Sequence, residues 1–372
     1  MPSSLFSPLQ IGPLSIDNRI IVAPMCQYSA TDGNASEWHR AHLCAMANSG
    51  AALVTVEATA PEARGRITQS CLGLYSDENE KALKGVLESV RAVSDVKLGI
   101  QIGHAGRKAS NQRPWEGREP LREDQGSWQT LSPSGIAFSK KGPQTRAMTE
   151  ADMNEVIQAH VQAAERALRL DFDLLELHAA HGYLLSSFLS PISNQRNDHF
   201  GGSLENRMRF PLQVLAAVRT VWPSDRALSI KVNGDDWAEG GFSPTEAVVF
   251  AQALSENGVD LVTVSGGGVA EHSSPPIAPG YQLPAAEAMK NAGIDIKIAG
   301  VGMLYDPEFT NAIIQDGKVD AVSMARAFLY NPKWAYHAAA KLNEELEYPP
   351  QYQRGSPALW PPAPQLSDGT DS

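Results

Sequence analysis

Residues 174 to 183 run an apolar strand directly into two histidines and a tyrosine, reading Leu174-Leu175-Glu176-Leu177-His178-Ala179-Ala180-His181-Gly182-Tyr183. Imidazoles at His178 and His181, both on one tight turn, can aim two N–H donors at a single oxygen, and Tyr183 beyond them carries a phenol able to deliver a proton. The set suits polarisation of a carbonyl. Two plainer readings compete: a strand-end histidine with a satisfied hydrogen bond, and a metal pair. The adjoining segment offers no cysteine or carboxylate in a recognisable ligand spacing, so no metal is expected.

Such a set needs a rigid element under it, and the chain supplies a repeating one. Short apolar runs with the look of buried parallel strands occur at 20–23, 52–57, 98–102, 174–178, 228–232, 261–265, 296–299 and 321–324. Amphipathic stretches of helical period lie between them. Thr149 and Asp152 open one helix, with Met153, Ile157, Val161, Ala164 and Leu168 on one face, and Ser203 opens another. Eight such βα units close most economically into an α/β (β/α)8 TIM barrel, whose chemistry sits at the carboxyl ends of the strands. A doubly wound open sheet is the alternative, and no GxGxxG follows the first strand to support it.

Two segments break the rhythm. Leu9, Ile11, Leu14 and Ile16 alternate around Gly12-Pro13, which predicts an N-terminal hairpin closing the barrel bottom. Residues 111–141, with Trp115 and Trp128 embedded, predict a long excursion after the third strand on the active-site side. Late in the chain, Gly300 and Gly302 follow the seventh strand and Ala325-Arg326 the eighth, where barrels commonly hold a phosphate on backbone N–H groups. A packing or turn role serves such glycines equally well. Ser265-Gly266-Gly267-Gly268 adds to the concentration.

Composition narrows the partners. Thirty-one basic against 42 acidic residues give a net charge of −11, which disfavours nucleic acid and anionic membranes and favours small-molecule chemistry. Cys26, Cys44 and Cys71 form no CxxC, so neither a disulfide framework nor an iron–sulfur cluster is signalled, and Cys44 and Cys71 read as packing. No leader or membrane-length apolar run is apparent, and a cytoplasmic protein is expected.

The motifs taken together resemble the flavin-dependent ene-reductases of the old yellow enzyme family over nearly the whole chain. They are Asn18-Arg19-Ile20, Pro24-Met25-Cys26-Gln27-Tyr28, Val56-Glu57-Ala58, His104-Ala105-Gly106-Arg107-Lys108, His178 to Tyr183, Phe188-Leu189-Ser190-Pro191, Gly201 to Arg207 and Gln351 to Gly355. Cysteine after Pro24-Met25 is similar to the bacterial branch that includes YqjM and xenobiotic reductase A.

The resemblance implies FMN at the barrel mouth, with NADPH or NADH as electron donor and activated alkenes as substrates. It implies that Pro24, Met25, Cys26 and Ala58 lie against the isoalloxazine and that Gln101 bonds its pyrimidine edge. Lys231 stands where the family usually has arginine, keeping the charge without the planar two-pronged donor. The phosphate falls to Gly300, Gly302, Ala325 and Arg326. His178 and His181 bind the activating oxygen, Tyr183 donates a proton and Tyr28 contacts substrate. The resemblance further implies a homodimer or dimer of dimers, in which Arg354 reaches the partner's site. The chain then divides into a barrel domain over 1–348 and a C-terminal arm over 349–372, interface-forming by that resemblance, while the stretch from Asp368 reads by itself as a disordered terminus. Other readings remain beside it: an FMN barrel reductase of another type, a phosphate-binding lyase or isomerase using Lys231, and a non-catalytic flavin protein.

Overall fold

Strands rich in Val, Ile and Leu, covered on both faces, are what a parallel barrel demands. The computed structural model describes residues 4–363. In chain order its strands are β1 (Leu9–Ile11), β2 (Leu14–Ile16), β3 (Ile20–Val22), β4 (Leu53–Thr59), β5 (Lys97–Ile102), β6 (Thr130–Ser132), β7 (Thr145–Ala147), β8 (Leu174–Ala179), β9 (Ala227–Asn233), β10 (Leu261–Ser265), β11 (Lys297–Gly300) and β12 (Ala321–Met324). Eight of them close into a parallel barrel in the order β3-β4-β5-β8-β9-β10-β11-β12, with β12 pairing back onto β3. All eight expected barrel strands are present, and a helix follows each. The open-sheet alternative is excluded.

The hairpin forms as expected, with Leu9 opposite Ile16 and Gly12 at φ 52° in the turn. Leu9, Ile11, Leu14 and Ile16 bury against Ile21, Leu53, Leu174, Ala227, Leu261 and Ala321, near the amino-terminal ends of the barrel strands. That plug closes the bottom and leaves the carboxyl-end mouth as the open side.

Helix Glu150–Arg169 starts at the expected capping box, where Thr149 Oγ1 accepts from the Asp152 N–H at 3.2 Å. Its buried face differs from the expected one: Val156, His160, Ala163 and Ala167 join Met153 and Ala164, while Ile157, Val161 and Leu168 are only half-buried. The small residues Ala163, Ala164 and Ala167 let the helix approach the barrel closely, so steric fit outweighs the larger apolar side chains in choosing the inward face.

The excursion after β5 is ordered, holding three short 3-10 turns and the parallel ribbon β6–β7, which residue patterning did not predict. At the other end, Pro350–Gly355 forms a 3-10 helix beside helix Trp334–Lys341, with the Lys333 ammonium 4.6 Å from the Tyr352 ring centre. The expectation of disorder from Asp368 lies outside the described residues. Among those described, no helix is long and apolar enough to cross a membrane.

Candidate active site

Alternation along the strands fills the barrel in layers. Above the apolar floor, Gln101 of β5, Glu176 of β8, Lys231 of β9 and Thr263 of β10 are all buried and meet inside the barrel. Glu176 is the hub: its Oε1 accepts from Gln101 Nε2 at 2.7 Å and lies 3.5 Å from Lys231 Nζ, while Oε2 accepts from Thr263 at 2.8 Å. The Lys231 ammonium makes no hydrogen bond among the described residues, so a buried cation retains donors free for an acceptor that enters the mouth. Sequence reasoning missed Glu176. Its position two residues before His178, hence on the same face of β8, is the signal that could have found it.

At the top of β8 the aromatic set comes together. The ring centres of His178 and His181 are 5.1 Å apart, and those of His178 and Tyr183 are 4.9 Å apart, both edge to face. The Ala180 backbone N–H donates to His178 Nδ1 at 3.2 Å. A backbone N–H can only donate, so His178 carries its proton on Nε2, which has no partner among the described residues. His181 is held differently: its N–H donates to Asn233 Oδ1 at 2.9 Å and its Nε2 lies 2.7 Å from Ser265 Oγ. Burial, reinforced by the positive charges of Lys231 and Lys108, pushes the His181 pKa down to about 3, and the same causes together with His181 drive His178 well down. Both rings are therefore neutral donors.

His181 adopts φ 61°, a left-handed conformation that a histidine keeps only when its surroundings enforce it. The enforcement is visible. Gly182 packs against the backbone of Gly268, where an added Cβ would sit 2.4 Å from the carbonyl oxygen. Lys108 Nζ then clamps the two loops by donating to the His181 and Gly268 carbonyls at 2.8 and 2.9 Å. Lys108 has no carboxylate partner among the described residues, and burial, then Arg107, lowers its pKa to about 8. Its motif stands out in the sequence, but its task does not. Tyr183 lies under this clamp, its ring centre 5.1 Å from Lys108 Nζ. Burial, then Cys26 and Tyr28, push the phenol pKa well up, so the proton stays on it.

The segment after β3 forms a second wall. The Gln27 N–H donates to buried Glu57 Oε2 at 3.1 Å, Glu57 Oε1 lies 3.1 Å from His39 Nε2, and Trp38 Nε1 donates to the Gln27 side chain at 2.9 Å. These contacts fix Pro24, Met25 and Cys26 at the mouth. Burial, then Glu57, raises the Cys26 pKa well above the usual thiol range, so the group is a thiol rather than a thiolate. Tyr28, at φ 49°, faces the exposed Trp115 of the excursion with ring centres 5.9 Å apart. Ala58 lines a cavity with Cys71, His104, His178 and Tyr183.

On the far side, Gly302 stands at φ 108°, where any side chain is strained. Gly300 serves packing, since a Cβ there would meet Leu283 and Val319 at 2.9 Å. Ala325 precedes the short helix that Arg326 begins, and the exposed Arg326 has no ion pair among the described residues. Arg354 is not brought to this set. It lies exposed in an outer groove with Lys333, Tyr336, Tyr352 and Trp360. Among the described residues, no group of three or more His, Cys, Asp or Glu side chains could hold a metal.

Residues 4–345 match the family described as NADH:flavin oxidoreductase / NADH oxidase. The chain belongs to that family. An NADPH dehydrogenase of Geobacillus sp. (strain WCH70) is 39% identical over 357 residues, covering 95% of this chain and 99% of the relative. One of Bacillus subtilis (strain 168) is 37% identical over 357 residues, covering 95% and 100%. Among solved structures, morphinone reductase in complex with tetrahydroNAD is 27% identical with a TM-score of 0.74 over 94% of each chain. A 2-naphthoyl-CoA reductase superposes with a TM-score of 0.82 at 24% identity; this chain spans 58% of its length, and the likeness is one of fold. This member of the family is therefore an old yellow enzyme-type oxidoreductase that uses FMN and NAD(P)H. The mouth fits FMN chemically: the free donors of Lys231, the amide of Gln101, the side-chain-free backbone at Gly302 and the unpaired guanidinium of Arg326 suit a group with a polar ring edge and a phosphate.

Proposed function

We propose that the protein is an ene-reductase for activated alkenes, namely enones, maleimides and nitro compounds. The observation that carries this reading is the pair of neutral imidazoles, buried His178 and half-buried His181, each with one ring nitrogen that has no partner among the described residues, beside the phenol of Tyr183. FMN, reduced by the nicotinamide, supplies the hydride that the β-carbon of such a substrate accepts. His178 and His181 hold the activating oxygen and stabilise the negative charge that develops on it. Tyr183 protonates the α-carbon. Tyr28 contacts the substrate. Pro24, Met25, Cys26 and Ala58 line the ring of the cofactor, Gln101 and Lys231 hold its pyrimidine edge, and Gly300, Gly302, Ala325 and Arg326 hold its phosphate. Anaerobic incubation of the holoenzyme with NADPH and an enone should yield the saturated ketone. Nicotinamide consumption with the C=C bond left intact would defeat the reading.

Arg326→Ala should loosen the cofactor. It removes a charge-assisted contact worth roughly 1.5–3 kcal/mol, or about 10- to 150-fold in FMN affinity. Ultrafiltration of the variant against FMN standards measures this, and undiminished retention would free Arg326 from the phosphate.

We further propose a homodimer or dimer of dimers in which Arg354 completes the neighbour's substrate pocket. Within its own chain Arg354 is exposed and unpaired among the described residues, which suits a role across an interface. Truncation before Gln351 should raise KM for enones while FMN stays bound. A mixed dimer of His178→Ala and Arg354→Ala chains should regain one intact site that neither parent homodimer has. A monomeric, fully active wild type would end this proposal.

A further inference from the structure

Ser265, the last residue of β10, is 6% exposed, and its hydroxyl lies 2.7 Å from His181 Nε2. Both groups can donate or accept, so two arrangements compete. If Nε2–H donates to Ser265, the serine hydroxyl hydrogen has no other acceptor among the described residues, and a buried donor is left unsatisfied. That omission carries a large penalty. If Ser265 donates to Nε2, its hydroxyl is satisfied and the ring proton moves to Nδ1, the nitrogen with no partner among the described residues. The second arrangement leaves the serine donor paired and the ring donor on Nδ1 available to a ligand.

We propose that Ser265 is a positioning residue that selects the Nδ1–H tautomer of His181, and so makes this histidine a donor to the substrate oxygen. The Ala180 N–H does the same for His178 with opposite sense, leaving Nε2–H as its donor. The two histidines thus present different ring nitrogens, each fixed by a neighbour that donates to the other nitrogen. Without Ser265, neutral His181 could carry its proton on Nε2 and turn a bare lone pair toward the substrate. A lone pair facing a carbonyl oxygen repels it. The low pKa of His181 keeps a third, doubly protonated form out of the competition at neutral pH.

This inference rests on the ene-reductase reading for its consequence, but the tautomer itself is measurable without turnover. In the oxidised holoenzyme carrying 15N-labelled histidine, two-bond 1H–15N correlation spectra identify which ring nitrogen is protonated, with His181 assigned by its absence in His181→Ala. Wild type should show His181 protonated on Nδ1. Ser265→Ala should shift the signal toward Nε2–H and weaken binding of a phenolic ligand about tenfold, as loss of one hydrogen bond would. Ser265→Thr, which keeps the hydroxyl, should restore both. An Nε2-protonated His181 in wild type would overturn the proposal, as would a tautomer and phenol affinity unchanged in Ser265→Ala. If His181 follows Ser265 as stated but His178→Ala and His181→Ala reduce enones normally, the tautomer assignment stands and the ene-reductase reading falls.

Discussion

Alanine at His178 or His181 should slow reoxidation of the NADPH-reduced enzyme by an enone by about 10²- to 10³-fold for each, with FMN still bound. The magnitude is that of removing one preorganised oxyanion donor, about 2.7–4 kcal/mol. The geometry explains why the loss should be this large. Both rings are held neutral by burial and by nearby cations, and each keeps one ring nitrogen without a partner among the described residues. His181 is in addition fixed in a strained backbone conformation by Asn233 and Lys108. Phenol affinity should fall with the kinetics, because a phenolate oxygen uses the same donors. Stopped-flow reoxidation and a phenol titration measure the two effects. Unchanged values in both variants would make the histidines structural.

Tyr183→Phe should separate the two half-reactions. Flavin reduction by NADPH needs no proton from Tyr183 and should stay near the wild-type rate, while reoxidation by an enone should slow by about 10²- to 10⁴-fold, the usual worth of a positioned general acid. Nitro compounds should be spared, since their anion persists without immediate protonation. Burial keeps the phenol protonated at neutral pH, so the donor is ready throughout the working range. Packing is little disturbed by the change, because the ring and its edge contact with His178 remain. Equal slowing of both half-reactions would assign Tyr183 to structure rather than to proton transfer.

The barrel is legible in the sequence because each strand is a short apolar run bounded by polar turns, and a parallel sheet buried on both faces admits little else. The plug is legible for a similar reason: alternation around Gly12-Pro13 has one hairpin solution. The proposed catalytic trio announces itself because three chemically unusual side chains follow one strand. What supports the trio is not legible. Lys108, Asn233 and Ser265 come from three other strand ends, and only closure of the barrel brings them to His181. Glu176 is hidden among leucines because a barrel interior can be polar where a sheet face packed on a helix cannot. Helix Glu150–Arg169 turns a different face inward from the one its apolar spacing predicts, because close approach favours alanines over larger residues. Gly300 is a glycine for a reason the motif does not reveal, since Leu283 and Val319 occupy the space that a side chain there would fill.

Reoxidation of the NADPH-reduced holoenzyme by one equivalent of cyclohex-2-enone under anaerobic conditions tests the central claim most directly. The oxidised flavin spectrum should return in full, with cyclohexanone formed in equal amount, and a saturating phenol should block the recovery. A reduced spectrum that persists in the presence of the enone and returns only with oxygen would contradict the account.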